Sequence, residues 1–459
     1  MRKWLVCGLV FLCALALVVT EVSAVEISAK GRIRVKYGLS NFSTFTNFGN
    51  SQTELNIPEK DADSAWTVRE RMRNWWTFKL NDHLKAVWAM EIGYLEWGQS
   101  TPTEGTSVGG SRVGRGSGGG YGADGVNIET KQLYMQFDIP MLDGWQAKMG
   151  LIGHGHTLAD GALWSNDSPA VEVKGPVGPM DIGIRWVRRN ATNFNTATAR
   201  QSREANMWFF DLGFKVPDGS IPFAKGVRLD TGLYYFDDNT TRGAGYTTEV
   251  YVTGLNIAAQ IGPAKISNKF AYGWQLSGAA SKREADPALA ATVSVPAAEP
   301  LRKHGILNRF DLSLPIGPGN FKFTNYFVSG DPDRSPGDRG DRPTQDLSSF
   351  PNAMEATDQI CFGAGVEILC GDLIDEWILF ASVNNDDLGL ILNIIGYDVK
   401  PTKNTKIGLR IAPTWSAAGN PNSKGGDKYM GTEIALPIKV KIWDGLSIDV
   451  RPAYFITGS

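Results

Sequence analysis

The chain has 459 residues, with 46 Lys and Arg against 48 Asp and Glu, a net charge of −2, 52 glycines and 10% aromatic residues. That balance excludes a nucleic-acid-coating role, which needs a strongly basic face or domain. Beyond residue 24 no stretch approaches the ~18–20 continuous apolar residues of a membrane-spanning helix. Two classes remain, a transmembrane β-barrel and a large soluble all-β protein such as a propeller or solenoid.

Residues 1–24 read as a secretory signal: Arg2 and Lys3 form the charged start, Trp4 to Val19 the apolar run, and Val22-Ser23-Ala24 the small-residue cleavage site. Cys7 and Cys13 lie inside it, which leaves Cys361 and Cys370, nine apart, as either a loop-closing disulfide or two free thiols. The remaining chain, 25–459, is expected to be one barrel domain.

In the first strand Val25, Ile27, Ala29, Ile33, Val35 and Tyr37 oppose Glu26, Lys30, Arg32, Arg34 and Lys36. Residues 66–98 then predict two strands joined by the short turn 81–83. Arg69, Arg71 and Arg73 alternate with Val68, Met72, Trp76 and Phe78, and Leu84, Ala86, Trp88, Met90, Ile92 and Tyr94 share one face of the return strand. A period of two over about ten residues describes a wall with oil on one side and water on the other. Ten tilted residues cover roughly 23 Å, close to the apolar band of an outer-membrane barrel, whereas soluble strands are nearer five or six residues.

The same alternation recurs at 132–139, 208–216, 309–316 and 433–442. Weaker segments lie near 145–152, 170–176, 181–189, 227–236, 249–261, 265–276, 321–328, 388–399, 405–413 and 446–456. Short connectors (81–83, 140–144, 175–179, 217–226, 262–264, 315–320, 400–404, 443–445) alternate with long ones (39–65, 98–126, 153–169, 190–203, 237–248, 277–303, 330–386, 414–428). Loops sorted by length to two rims are the habit of a bacterial barrel. The expected fold is therefore all-β, a transmembrane antiparallel β-barrel. The segments number seventeen. An even count requires about sixteen strands, if 170–176 or 388–399 is not one, or eighteen, if a closing strand is missing after Thr457-Gly458-Ser459.

The stretches AVEISAKGRIRVKYG and RERMRNWWTFKLNDHLKAVWAMEIGYLEWG resemble the homotrimeric outer-membrane porins of sulfate-reducing bacteria, within the wider class of trimeric general porins. The resemblance implies an outer-membrane location, a self-associating trimer, lipid around the barrel and passive diffusion of small hydrophilic solutes. It also implies a third long loop, 153–169, folded into the lumen, with Asp160 and Asp167 facing a basic wall. General porins usually end in phenylalanine, which this chain does not.

The basic wall would be Lys30, Arg32 and Arg34 beside Arg69, Arg71 and Arg73. A solvated face is the bland reading. Yet arginines ~6–7 Å apart cost on the order of 0.5 kcal/mol per neighbouring pair even in water, so an anion-favouring constriction explains the pattern better. Glu70 and Asn74 fall on the outward face of the same strand, where a charge costs roughly 2–4 kcal/mol near the midplane, somewhat less for an acid. A subunit interface there would relieve that cost. Asp331, Asp333, Asp338 and Asp341 are weak Ca²⁺ candidates, since Arg334, Arg339 and Arg342 between them suit simple neutrality. His154 and His156 lack a third ligand. No cofactor, no catalytic constellation and no nucleic-acid partner is expected. The alternative reading is a structural or adhesive outer-membrane barrel with a plugged lumen.

Overall fold

The computed structural model describes residues 25–40, 65–97, 128–153, 158, 167–192, 203–238, 246–279, 301–331, 346–347, 351, 365–369, 388–418 and 428–457. The strands are β1 (Glu26–Ser40), β2 (Ala65–Asn81), β3 (Leu84–Glu96), β4 (Ile128–Asp138), β5 (Gln146–Gly153), β6 (Asp167–Val177) and β7 (Met180–Thr192). There follow β8 (Arg203–Lys215), β9 (Ala224–Asp238), β10 (Tyr246–Ile261), β11 (Ala264–Ala279), β12 (Leu301–Ile316) and β13 (Gly319–Val328). The set closes with β14 (Asp346–Leu347), β15 (Leu390–Val399), β16 (Thr405–Trp415), β17 (Tyr429–Ala435), β18 (Ile438–Trp443), β19 (Leu446–Val450) and β20 (Ala453–Thr457). The signal segment, both loop cysteines, His154 and His156 lie outside the described residues.

From β1 to β13 each strand pairs antiparallel with its sequence neighbour, and β13 continues to β15 and β16. The two-residue β14 lies parallel to β12. β16 pairs with both β17 and β18, β17 with β20, and β18 with β19. The last two passes are therefore strands broken at Pro437 and Pro452. Neither proline has an N–H to give the ladder. Leu436 N–H donates to Pro452 O at 2.9 Å across the break.

Counted this way, the described sheet makes seventeen passes. Segments 170–176 and 388–399 fall in β6 and β15, so neither can be removed to reach sixteen. Among the described residues β1 pairs only with β2, and the final pass only with the one before it. The all-β antiparallel architecture is as expected, and the seventeen passes among the described residues match the seventeen segments read from the sequence.

One apolar cluster runs from Ile152 on β5 to Met430 on β17, through Val187, Phe209, Tyr234, Val252, Leu307, Tyr326 and Leu392. Strands so far apart in the sheet share a core only because the sheet curls round its own interior. The opposite face carries Trp88, Leu133, Met135, Ile184, Trp208, Phe210, Leu255, Phe270, Ile411 and Ile434, at 37% to 56% exposure. An apolar belt outside a curled sheet is what a hydrocarbon surround stabilises and water does not.

The inside corrects one expectation. It is not wet throughout, because Leu158 and the segment Gly365–Leu369 enter it. Leu158, Val366 and Leu369 are buried in the same cluster as the strand residues. Each fully buried side chain of this size contributes about 1.5–3 kcal/mol, as an upper estimate.

Candidate pore lining

The basic wall forms from the register of β1 on β2. Lys30 faces Trp75, Arg32 faces Arg73, Arg34 faces Arg71 and Lys36 faces Arg69. Directly opposed residues share a face of the sheet, so Lys30, Arg32, Arg34, Lys36, Arg69, Arg71 and Arg73 stand on one surface, two strands wide. That surface continues through Glu91 on β3, and the neighbouring strands show it to be the inner one.

The cations on it are not equivalent. Lys30 and Arg32 are exposed, and the Lys30 ammonium sits 5.9 Å from the centre of the Trp75 ring. Arg71 is only 6% exposed. It lies along the wall over Gly93, where an added Cβ would stand 2.6 Å from Arg71 Cγ. Arg73 Nε donates to Glu91, itself 2% exposed. Packing and pairing on β2 leave β1 as the more open half of the wall.

From Glu91 a chain of charge crosses the inner face. Lys131 Nζ lies 3.8 Å from Glu91 and 2.8 Å from Asp167, and Gln132 Nε2 donates to Asp167 at 2.8 Å. Asp167 is therefore the first residue of β6 and part of the wall, not an acid on a loop facing the wall. Asp160 lies outside the described residues. Further along, Arg185 Nε donates to Glu172 at 2.8 Å, and the Arg189 guanidinium donates to Asp238 at 3.2 Å. The positive charge of β1 and β2 thus gives way to paired charge on β4 to β9.

Two clamps hold the inward segments. Tyr234 Oη donates to Asp211 at 2.8 Å and accepts the Leu158 N–H at 3.0 Å. Glu433, fully buried on β17, accepts the backbone N–H groups of Glu367 at 2.6 Å and Leu369 at 2.7 Å. Sequence reading missed Glu91, Lys131, Glu172 and Glu433. Glu91 was within reach, because it is two residues from Ala89 on the inward face of the return strand; Glu433 was not, because its partners are backbone groups far away in the chain.

Glu70 and Asn74 lie on the outer face, opposite Val35 and Gly31 of β1. Asn74 covers Gly31, where an added Cβ would be 2.2 Å from Asn74 Oδ1. Asp331 is buried, while Asp333, Asp338 and Asp341 lie outside the described residues. Among the described residues no group of three or more His, Cys, Asp or Glu could hold a metal, and no helix is long and apolar enough to cross a membrane.

No family model and no curated protein matches the chain. Solved structures with similar folds include Acinetobacter baumannii OccAB1 (10% identity, 94% of this chain and 91% of that one, TM-score 0.49) and Pseudomonas aeruginosa OccK8, also called OprE (10%, 95% and 95%, 0.46). An anion-selective porin from Comamonas acidovorans is a third (10%, 94% and 100%, 0.40). At these values the likeness carries no inference about function, and the architecture stands on the strand pairing and the two faces described above.

Proposed function

We propose that the chain is an outer-membrane porin through which small hydrophilic solutes diffuse passively, with a preference for anions. The observation that carries this reading is the register of β1 on β2, which puts seven cations on the inner face of a sheet whose outer face is apolar. The secretory signal fits export, and the sequence resemblance to homotrimeric porins supports self-association in the membrane. No chemical step is involved. Solutes are sieved by the width left between the wall and the inward segments, and by the field of the exposed Lys30 and Arg32 and the half-buried Arg34 and Lys36. In planar bilayers the folded protein should give open channels whose reversal potential in a KCl gradient has the sign of chloride permeation. Potassium preference would sink the anion assignment.

One observation favours a second reading. Leu158, Val366, Ile368 and Leu369 bury apolar side chains inside the barrel, as a structural or adhesive barrel with a plugged lumen would. The same bilayer measurement separates the two, since a plugged lumen passes no current.

A further inference from the structure

A second cationic feature runs across the sheet rather than along a strand, on β9 to β16. In register, Lys225 faces Gln260, Gln260 faces Lys265, Lys265 faces Ser313, Ser313 faces Lys322, Lys322 faces Gly396, and Gly396 faces Arg410. All therefore lie on one face. A cation occupies every second strand of this row, so neighbouring cations are rooted roughly 9–10 Å apart. At its end Arg410 reaches over Gly396, where an added Cβ would stand 2.9 Å from Arg410 Cδ. Lys225, Lys265, Lys322 and Arg410, with Arg309 and Asp311, line a cavity of about 490 Å³ near the short turns, within the usual size range of small-molecule sites.

Charge in this cavity is only partly cancelled. Arg410 Nη2 donates to Asp398 at 2.6 Å, and Lys322 and Lys406 reach the other oxygen of the same carboxylate at 3.0 and 3.1 Å. Three cations thus share one acid. Arg309 is satisfied by Asp311 at 2.8 Å. Lys225 and Lys265 have no ion-pair partner among the described residues. The surplus positive charge is greatest on the β9–β11 side and recurs at Lys322.

We propose that this cavity is a binding subsite for small organic dianions with a carboxylate at each end. A compact oxyanion would meet one lysine at a time. A two-ended anion can bridge the Lys225–Lys265 side and Lys322, making charge-assisted hydrogen bonds at both. Exposed lysines make such binding weak and reversible, as passage requires. The subsite rests on the porin reading only in that the cavity is reached from the lumen.

The test is calorimetric titration of the full chain, folded in detergent micelles at low salt, with succinate and with inorganic phosphate. Succinate should bind saturably and more tightly than phosphate. Lys225→Gln with Lys265→Gln should weaken it by about tenfold or more, the loss of one or two charge-assisted contacts. Lys225→Arg with Lys265→Arg should keep it. Lys400→Gln with Lys403→Gln, which removes the same charge from the exposed β15–β16 turn, should change affinity by less than about threefold, since neither lysine lines the cavity. Absence of succinate binding, equal loss in the two Gln pairs, or tighter binding of phosphate would each overturn the proposal. The measurement needs no ion current, so a barrel that binds succinate but does not conduct would refute the porin reading alone.

Discussion

Glu433 accepts two backbone N–H groups with one buried carboxylate, and bonds to a charged acceptor of this kind contribute about 1.5–3 kcal/mol each. In Glu433→Gln one acceptor oxygen becomes an NH₂ group that faces another donor. Hydrogen exchange at the Glu367 or Leu369 amide should then speed up by roughly 30- to 100-fold, equivalent to about 2–3 kcal/mol. Unchanged protection would mean that packing of Val366 and Leu369 alone holds the segment. Arg73 raises a similar question of partners. Arg73→Gln leaves Glu91 buried with the looser Lys131 pair at 3.8 Å, and should cost about 2–4 kcal/mol in denaturant unfolding. Lys30→Gln, at an exposed position, should stay within about 0.5 kcal/mol. Adding Glu91→Gln to Arg73→Gln should restore much of the loss, which a double-mutant cycle would read directly.

β1 and β2 were the most legible elements, because their two faces differ most: Lys and Arg on one side, Ile, Val, Met and Trp on the other. The segments around 227–236, 249–261 and 388–399 were faint for the opposite reason. Tyr234 and Phe236 point inward while Leu233 points outward; Val250 and Val252 point inward while Leu255 and Ile257 point outward. When both faces are apolar the period-two contrast fades, and the cause is that Leu158 and Gly365–Leu369 cover the inner face from elsewhere in the chain. The row from Lys225 to Arg410 was invisible for a related reason, since only strand register brings isolated lysines together. Two predictions belong to β1 and β2. Replacing Lys30, Arg32, Arg34 and Lys36 together with Gln should reduce or reverse the KCl reversal potential, more strongly at low salt, where the Debye length exceeds about 10 Å. If selectivity survives intact, this wall does not control passage. On the outer face, Glu70→Leu with Asn74→Leu should weaken the self-association proposed above, read as a shift towards monomer on native gels, if polar contacts between subunits satisfy this patch. A heat-resistant oligomer in the variant would move the interface elsewhere.

The seventeen passes among the described residues set the relative direction of the first and last of them. β1 runs towards the long connection 41–64, and β19–β20, which follows the short turn at Asp444-Gly445, runs towards the same rim. The first and last passes are therefore parallel. Unpaired strand edges in hydrocarbon cost several kcal/mol per group, so the two edges need partners, and direct closure would have to be parallel. Single cysteines placed along Val25–Leu39 and along Tyr454–Ile456 should then give at least one pair that cross-links on oxidation within a monomer. Failure of every pair would mean that another strand lies between the two edges.

The two clamps also fix an order of events. Leu158 precedes the tyrosine that holds it by 76 residues, and Leu369 precedes Glu433 by 64. Both hooks point forward along the chain. Hairpins of a meander can zip one after another as they emerge, but neither segment has its anchor until later strands have arrived. The interior thus narrows in two stages, the first once β9 has arrived and the second only with β17. A chain stopped after Trp415 should leave the 365–369 amides exchanging freely while β1 to β13 keep their register.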